Sequence, residues 1–221
     1  MKIIQRGDVT FVDDLFTESE INRMDQYFSE YTLWGLGYDE LDYGASTATL
    51  CRSLKWDQWV GVHRIFNDIQ LVMKKRLHQS TEIKVPLFSR CLINNFKFGD
   101  SPMFHRDSPS SPEGRTFMVY PNKVWDHNWG GYTVFADDDF DVINVAAPKP
   151  GRIVIFPGKI LHAGVAPTKI HKGYGRFSIA YQDPIGNPKQ EDLKHCKPKD
   201  INKTSMVEIY GDNYYELNPT N

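Results

Sequence analysis

Between Leu92 and Tyr181 the chain is cut into short runs rich in β-branched and aromatic residues, separated by Gly, Pro, Asp and Asn. The runs are Leu92–Phe98, Thr116–Tyr120, Tyr132–Ala136, Asp141–Ala147, Arg152–Phe156, Leu161–Val165 and Arg176–Tyr181. Each is too short for an ordinary helix and of the right length for a strand. Short strands in this number and at this spacing predict a sandwich, barrel or jelly roll.

The first part of the chain has a different texture. Thr17-Glu18-Ser19-Glu20 has the form of a capping box, and Ile21, Met24, Tyr27 and Phe28 follow at helical spacing. A second helix is expected from about Trp59 to Gln79, with Val62, Ile65, Phe66, Ile69, Val72, Met73 and Leu77 as its apolar stripe and Lys74, Lys75 and Arg76 near its C-terminal end. Helices beside a sheet cover an apolar face that would otherwise meet water. The expected organisation is therefore a helical support region over residues 1–85, a β core over 86–183 and an irregular arm over 184–221. The arm carries Pro184, Pro188, Pro198 and Pro219 and many charges, with Met206–Tyr210 as a possible short strand. A length of 221 residues suits one compact domain, or one domain with an added arm.

A net charge of −2 gives no strong attraction to nucleic acid or anionic lipid. The basic residues Lys194, Lys197, Lys199 and Lys203 suit a solvated tail. No run is long and apolar enough for a membrane span, and the first residues lack the apolar stretch of a secretory signal. Cys51, Cys91 and Cys196 are few, odd in number and widely spaced, so a reducing, cytoplasmic setting is expected.

Chemistry is carried first by Phe104-His105-Arg106-Asp107. On an extended chain His105 and Asp107 point to the same side and can bind one metal together. Two imidazoles and a carboxylate on one face make the facial triad of non-haem iron(II) oxygenases. His-x-Asp alone is a common triplet, so the second histidine matters. His63 and His78 fall on the second helix, His127 in the loop Asp126–Trp129, His171 in a polar turn and His195 in the arm. His162 instead follows the apolar run Ile153–Phe156 and leads into Ala163-Gly164-Val165, where small residues would leave room beside it. As a plain core histidine it would satisfy a backbone carbonyl.

Arg176 and Ser178 share one face of the last strand. A lone guanidinium among apolar neighbours calls for an anion, because burying an unpaired charge is costly. A dicarboxylate supplies one through a bidentate pair, with Ser178 adding a hydrogen bond. An internal pair with Asp137, Asp138 or Asp139 is the alternative, although that run suits a solvated hairpin turn.

From about Cys91 to Asp183 the chain resembles the prolyl 4-hydroxylase branch of the iron(II)/2-oxoglutarate dioxygenases, and especially the hypoxia-sensing prolyl hydroxylases. The matching pieces stand in family order. They are Gly99, His105-Arg106-Asp107, Gly114-Arg115, Tyr120-Pro121-Asn122-Lys123-Val124-Trp125, Gly130-Gly131-Tyr132-Thr133-Val134-Phe135, Pro150-Gly151-Arg152, His162 and Arg176. The separation of 57 positions between His105 and His162 is also typical. The resemblance implies a double-stranded β-helix, jelly-roll and cupin-like, with N-terminal helices supporting one sheet. It implies iron(II) on His105, Asp107 and His162, with 2-oxoglutarate and dioxygen as co-substrates and ascorbate as a possible reductant. It places Tyr120 and Thr133 beside Arg176 and Ser178 around the distal carboxylate. Two departures bear on the substrate. Where many relatives carry a Tyr before the first ligand this chain has Asn95 and Phe96, and where many use Lys for the carboxylate it has Arg176, with Lys172 nearby.

The implied reaction is hydroxylation of an unactivated C–H bond. Asp107 argues for it, since the halogenases of the superfamily lack that carboxylate. The substrate is expected to be a peptide or protein prolyl group, with a free amino acid or another small metabolite as the alternative. A non-catalytic metal- or sugar-binding jelly roll is the reading from another class. Ser108–Glu113 and Trp125–Trp129 are expected at the pocket rim, as substrate contacts or as plain loop anchors, and Arg106 and Arg115 as contacts to an acidic group or as solvated charges.

Overall fold

The structure, a computed structural model, describes residues 1–30, 35–36, 50–55, 64–86, 88, 90–100, 103–108, 113–168 and 175–182. Two compact units are distinguished, one of Met1–Lys55 with Leu87–Gly186 and the other of Trp56–Pro86 with Asn187–Asn221.

The first unit holds the strands. The chain opens with a hairpin, β1 (Lys2–Arg6) and β2 (Val9–Asp13), turned at Gly7 with φ +55°. Helix α1 (Glu18–Glu30) follows, and then β3 (Gly35–Leu36) and β4 (Leu50–Lys55). All seven expected strands form: β5 (Arg90–Phe96), β6 (Arg115–Val119), β7 (Thr133–Ala136), β8 (Val142–Ala146), β9 (Ile153–Pro157), β10 (Leu161–Gly164) and β11 (Arg176–Gln182). Strands β1 to β4 are additions to the expected list, and they extend one sheet at both ends. Its order is β1-β2-β9-β6-β11-β5-β4-β3, facing a smaller sheet of order β10-β7-β8, with every pairing antiparallel. This is the expected jelly-roll double-stranded β-helix.

Strand alternation divides the side chains between two layers. Val9, Phe11, Met118, Tyr120, Phe135, Val154 and Phe156 fill one buried core. On the other face of the large sheet, Phe88 packs edge-on against Phe117 at 5.1 Å. Helix α1 covers part of that face. Its capping box forms as expected, with Thr17 N–H donating to Glu20 at 2.7 Å and Glu20 N–H to the Thr17 hydroxyl at 3.3 Å. Phe28 on its inner stripe meets Phe177 of β11 at 5.7 Å, and Ile21 lies against Gly151. Helix α1 thus takes part of the supporting role expected of the helices.

Helix α2 (Arg64–Ser80) belongs to the second unit and shows the expected buried stripe of Ile65, Phe66, Ile69, Met73 and Leu77. Its last turn carries His78, and Lys74, Lys75 and Arg76 precede that turn. Residues 56–63, the six residues 169–174 and the arm beyond 182 lie outside the described residues, and with them His63, His171, Lys172, His195, Met206–Tyr210 and the arm lysines.

Candidate metal centre

His105 and His162, far apart in sequence, are joined by an isolated antiparallel bridge. Each donates its N–H to the other's carbonyl, at 2.9 and 3.0 Å. Residues paired in this way project their side chains to the same face, and the two rings lie 4.4 Å apart. Asp107 enters from the next same-side position of the extended chain. Ser108 N–H donates to Gly158 O at 2.9 Å, and Gly158 approaches so closely that a Cβ there would stand 2.9 Å from Ser108 Cβ. The result brings together the ligand atoms of His105, Asp107 and His162, all within 4.8 Å of one another.

Hydrogen bonds behind the ligands set their orientation. His105 Nδ1 faces Met103 O at 3.1 Å and His162 Nδ1 faces Ile160 O at 2.9 Å. A carbonyl only accepts, so each Nδ1 carries a proton and each Nε2 is left for the site. The Nε2 atoms stand 3.5 and 3.6 Å from opposite oxygens of Asp107. Thr116 of β6 donates its hydroxyl to Asp107 at 2.5 Å. Burial alone would push the Asp107 carboxyl up, but His162, His105 and the Thr116 hydroxyl outweigh it and hold the group well below the usual carboxylate range. Burial also lowers His162, more than Asp107 restores, and the charge of His105 adds to the lowering. His105 is raised, because Asp107 outweighs its burial. An anionic carboxylate and a neutral, buried imidazole are the forms that bind a metal. Two nitrogens and one carboxylate oxygen on one face fit iron(II) with the remaining positions open.

The ligands form one wall of a pocket also lined by Asn94, Phe96, Arg176 and Ser178. Arg176 is fully buried. Its Nε donates to Gly131 O at 3.0 Å, Nη1 to the Ser178 hydroxyl at 3.1 Å, and Nη2 to Tyr120 at 3.2 Å and Thr133 at 2.6 Å. The guanidinium lies 4.9 Å from the ring centres of both Phe96 and Tyr120. The expected set of Arg176, Tyr120, Ser178 and Thr133 is thus one connected group. The triple-Asp run is used elsewhere, as a hairpin turn. Asp137 accepts from Asp139 and Asp141 N–H at 3.0 Å each, and Asp138 pairs with Arg106 at 2.7 Å.

One expectation is corrected and several open alternatives are narrowed. The small residues after His162 do not leave empty space. A Cβ on Gly164 would stand 2.5 Å from the Phe96 ring, which fills that position. Trp125 is a loop anchor: its Nε1 donates to Gly130 O at 3.0 Å and its ring lies against Gly131. Arg106 is tied to Lys159 O and Asp138, while Arg115 is exposed. His78 accepts from Val85 N–H at 2.8 Å, which gives it a packing role, and His127 lies in an exposed 3-10 turn, His127–Trp129. Two residues, Thr116 behind Asp107 and Asn94 on the pocket wall, carried no signal of their own. Thr116 sits in an ordinary strand pattern, and Asn94, whose Oδ1 is buried without a hydrogen-bond partner, sits in another.

Residues 91–181 match the sequence family described as the 2OG-Fe(II) oxygenase superfamily. No curated protein sequence matches the chain. Among solved structures it is similar to an oxidoreductase of the 2OG-Fe(II) oxygenase family from Burkholderia pseudomallei, with 18% identity, TM-score 0.56, and 79% of this chain and 84% of that one covered. It is also similar to a Trichoplax adhaerens prolyl hydroxylase in complex with a hypoxia inducible factor oxygen degradation domain peptide fragment, at 13% identity and TM-score 0.54 over 85% and 86% of the two chains. A third is a Pseudomonas putida prolyl-4-hydroxylase, at 13% identity and TM-score 0.51 over 79% and 91%. At these identities the likeness is one of fold.

Proposed function

We propose that this chain, whose residues 91–181 match the 2OG-Fe(II) oxygenase superfamily, is a dioxygenase that hydroxylates a prolyl group of a peptide or protein, with iron(II) on His105, Asp107 and His162 and the far carboxylate of 2-oxoglutarate on Arg176. The observation that carries the assignment of residues is the single pocket in which the three ligands and the buried guanidinium meet. When bound, the iron with 2-oxoglutarate and dioxygen supplies the oxidising power, releasing carbon dioxide and succinate and placing one oxygen atom in a C–H bond of the substrate.

The chain's residues then divide the work. Asp107 stays ionised beneath the Thr116 hydroxyl, and the two Nδ1–H bonds hold the imidazoles at fixed angles. Arg176 binds one end of the dicarboxylate, with Ser178, Tyr120 and Thr133 as polar neighbours, so the other end is directed to the metal. Phe96, Met118 and Phe156 exclude water from the pocket walls. His105, whose side chain is 31% exposed against 4% for Asp107, marks the side from which substrate arrives. The prolyl reading is supported by the fold shared with a prolyl hydroxylase solved with a peptide. The few, widely spaced cysteines of the sequence support a reducing compartment, and ascorbate is the proposed reductant.

Succinate release is the test, measured with iron(II), 2-oxoglutarate and ascorbate across prolyl peptides, free amino acids and small metabolites. Stimulation by prolyl peptides is expected. Stimulation only by a free amino acid or metabolite replaces the peptide reading. No turnover together with no binding of 2-oxoglutarate sinks the assignment of the pocket.

A further inference from the structure

We infer that Asn122 is a positioning residue for the cosubstrate, acting through Arg176; the inference rests on the reading of Arg176 as the carboxylate anchor. Strand β6 pairs β11 from Thr116↔Gln182 to Val119↔Ile179, and that register, continued, sets Asn122 opposite Arg176. The backbone ladder stops before it gets there. Tyr120 turns its N–H to Arg152 O at 3.0 Å, and Pro121 has no N–H to offer. The side chain of Asn122 continues the ladder instead. Its Oδ1 accepts from Phe177 N–H at 2.8 Å and its Nδ2 donates to Gly175 O at 3.0 Å. One amide thereby grips the residues immediately before and after Arg176, as a peptide unit of a neighbouring strand would. The side chain is 1% exposed, so neither β11 group has water as a ready substitute.

The rest of the loop serves the same end. Lys123 N–H donates to the buried Asp25 carboxylate of α1 at 3.0 Å, which fixes the loop on the helix. Trp125 lies behind Gly131, whose carbonyl takes the Arg176 Nε. Gly131 has φ +73°, and a Cβ there would meet Trp125 at 2.8 Å and Arg176 Cγ at 3.2 Å. The Asn122–Trp125 segment therefore holds the backbone of Arg176 from one side and the back of its guanidinium from the other. Without the Asn122 grip the β11 start loosens and the guanidinium is displaced from the position in which it would meet a carboxylate, which weakens binding of the carboxylate end alone.

The test compares two ligands of the full-length, manganese(II)-loaded protein by calorimetry: 2-oxoglutarate, and 2-oxopentanoate, which has the same 2-oxo acid head without the distal carboxylate. Asn122→Ala is expected to raise the Kd of 2-oxoglutarate about tenfold, the scale of one misaligned charge-assisted hydrogen bond, and to leave 2-oxopentanoate and manganese(II) binding unchanged. In an Arg176→Met background the same substitution is expected to have no further effect on 2-oxoglutarate. Asn122→Ser is the second variant should the alanine form not fold, with the same selective loss expected. An equal loss for both ligands, no loss for either, or an effect that persists in the Arg176→Met background overturns the inference. A wild-type protein that does not prefer 2-oxoglutarate over 2-oxopentanoate overturns the anchor reading itself, a separate result.

Discussion

Thr116 is not itself an expected ligand, yet the proposed iron site depends on its hydroxyl, which donates to Asp107 at 2.5 Å. Thr116→Val keeps the β-branched shape and removes that donor. Iron(II) or cobalt(II) titration is expected to show affinity about tenfold weaker or more, the usual cost of losing a partner behind a metal ligand. Gly131→Ala tests the other end of the pocket. At φ +73° with Trp125 2.8 Å from the added Cβ, the substitution is expected to destabilise the fold by about 1–3 kcal/mol in urea unfolding and to weaken 2-oxoglutarate binding. At this scale the meeting of His105 and Asp107 was legible because His-x-Asp has a geometric meaning on an extended chain. Arg176 was legible because charge is rare among apolar strand residues. Thr116 was not, because a strand threonine that packs and one that donates to a carboxylate look alike in sequence. The space beside His162 was misjudged for a related reason: Gly164 signals a close approach but does not say that Phe96 makes it.

Among the elements, the N-terminal hairpin is held to the core by charge. Asp13 at the end of β2 takes a bidentate pair from Arg152, just before β9, at 2.6 and 2.7 Å, with Lys149 at 3.5 Å. Both side chains are nearly buried, 11% and 8% exposed. Burial pushes Asp13 up, but Arg152 and Lys149 outweigh it and its carboxyl titrates below the usual value. The contribution to stability is therefore complete above the unfolded pKa of about 3.9 and disappears as pH falls through the lower folded value. Asp13→Ala is expected to cost about 3–5 kcal/mol in urea unfolding at pH 7, since it leaves Arg152 buried without its carboxylate. The gap between wild type and variant is expected to close in acid, and a gap that stays constant down to about pH 2 would show that the pair is not the cause. The seven core strands were legible from their β-branched runs. The hairpin could have been: Gly7-Asp8 between Lys2–Arg6 and Val9–Asp13 has the form of a two-residue turn. Strand β4 had no comparable signal, because Leu50–Lys55 is made a strand by pairing with β5 some forty positions away.

For the molecule as a whole, the segment with family likeness is smaller than what folds around it. Val12 of β2 pairs with Ile153 of β9, and Phe28 of α1 covers Phe177. A fragment limited to residues 86–183 would expose both surfaces. It is expected to aggregate or to lack a cooperative melt, whereas the full chain melts in one main transition of the β core. Treatment with a chelator is expected to leave the far-UV spectrum of the full chain unchanged. The fold class was legible at this scale, while the β-sheet additions at both ends of the large sheet were not. The backbone bridge between His105 and His162 has a consequence for handling and for the cell. Two main-chain hydrogen bonds tie together the backbones that carry the two imidazoles, so the fold itself holds the proposed donors side by side. Selection is left to the intrinsic order of divalent metals, in which zinc, nickel and copper bind such donors more tightly than iron. With iron on these donors as proposed, mismetallation is expected, and with it an active fraction that follows the metal supply of the surroundings.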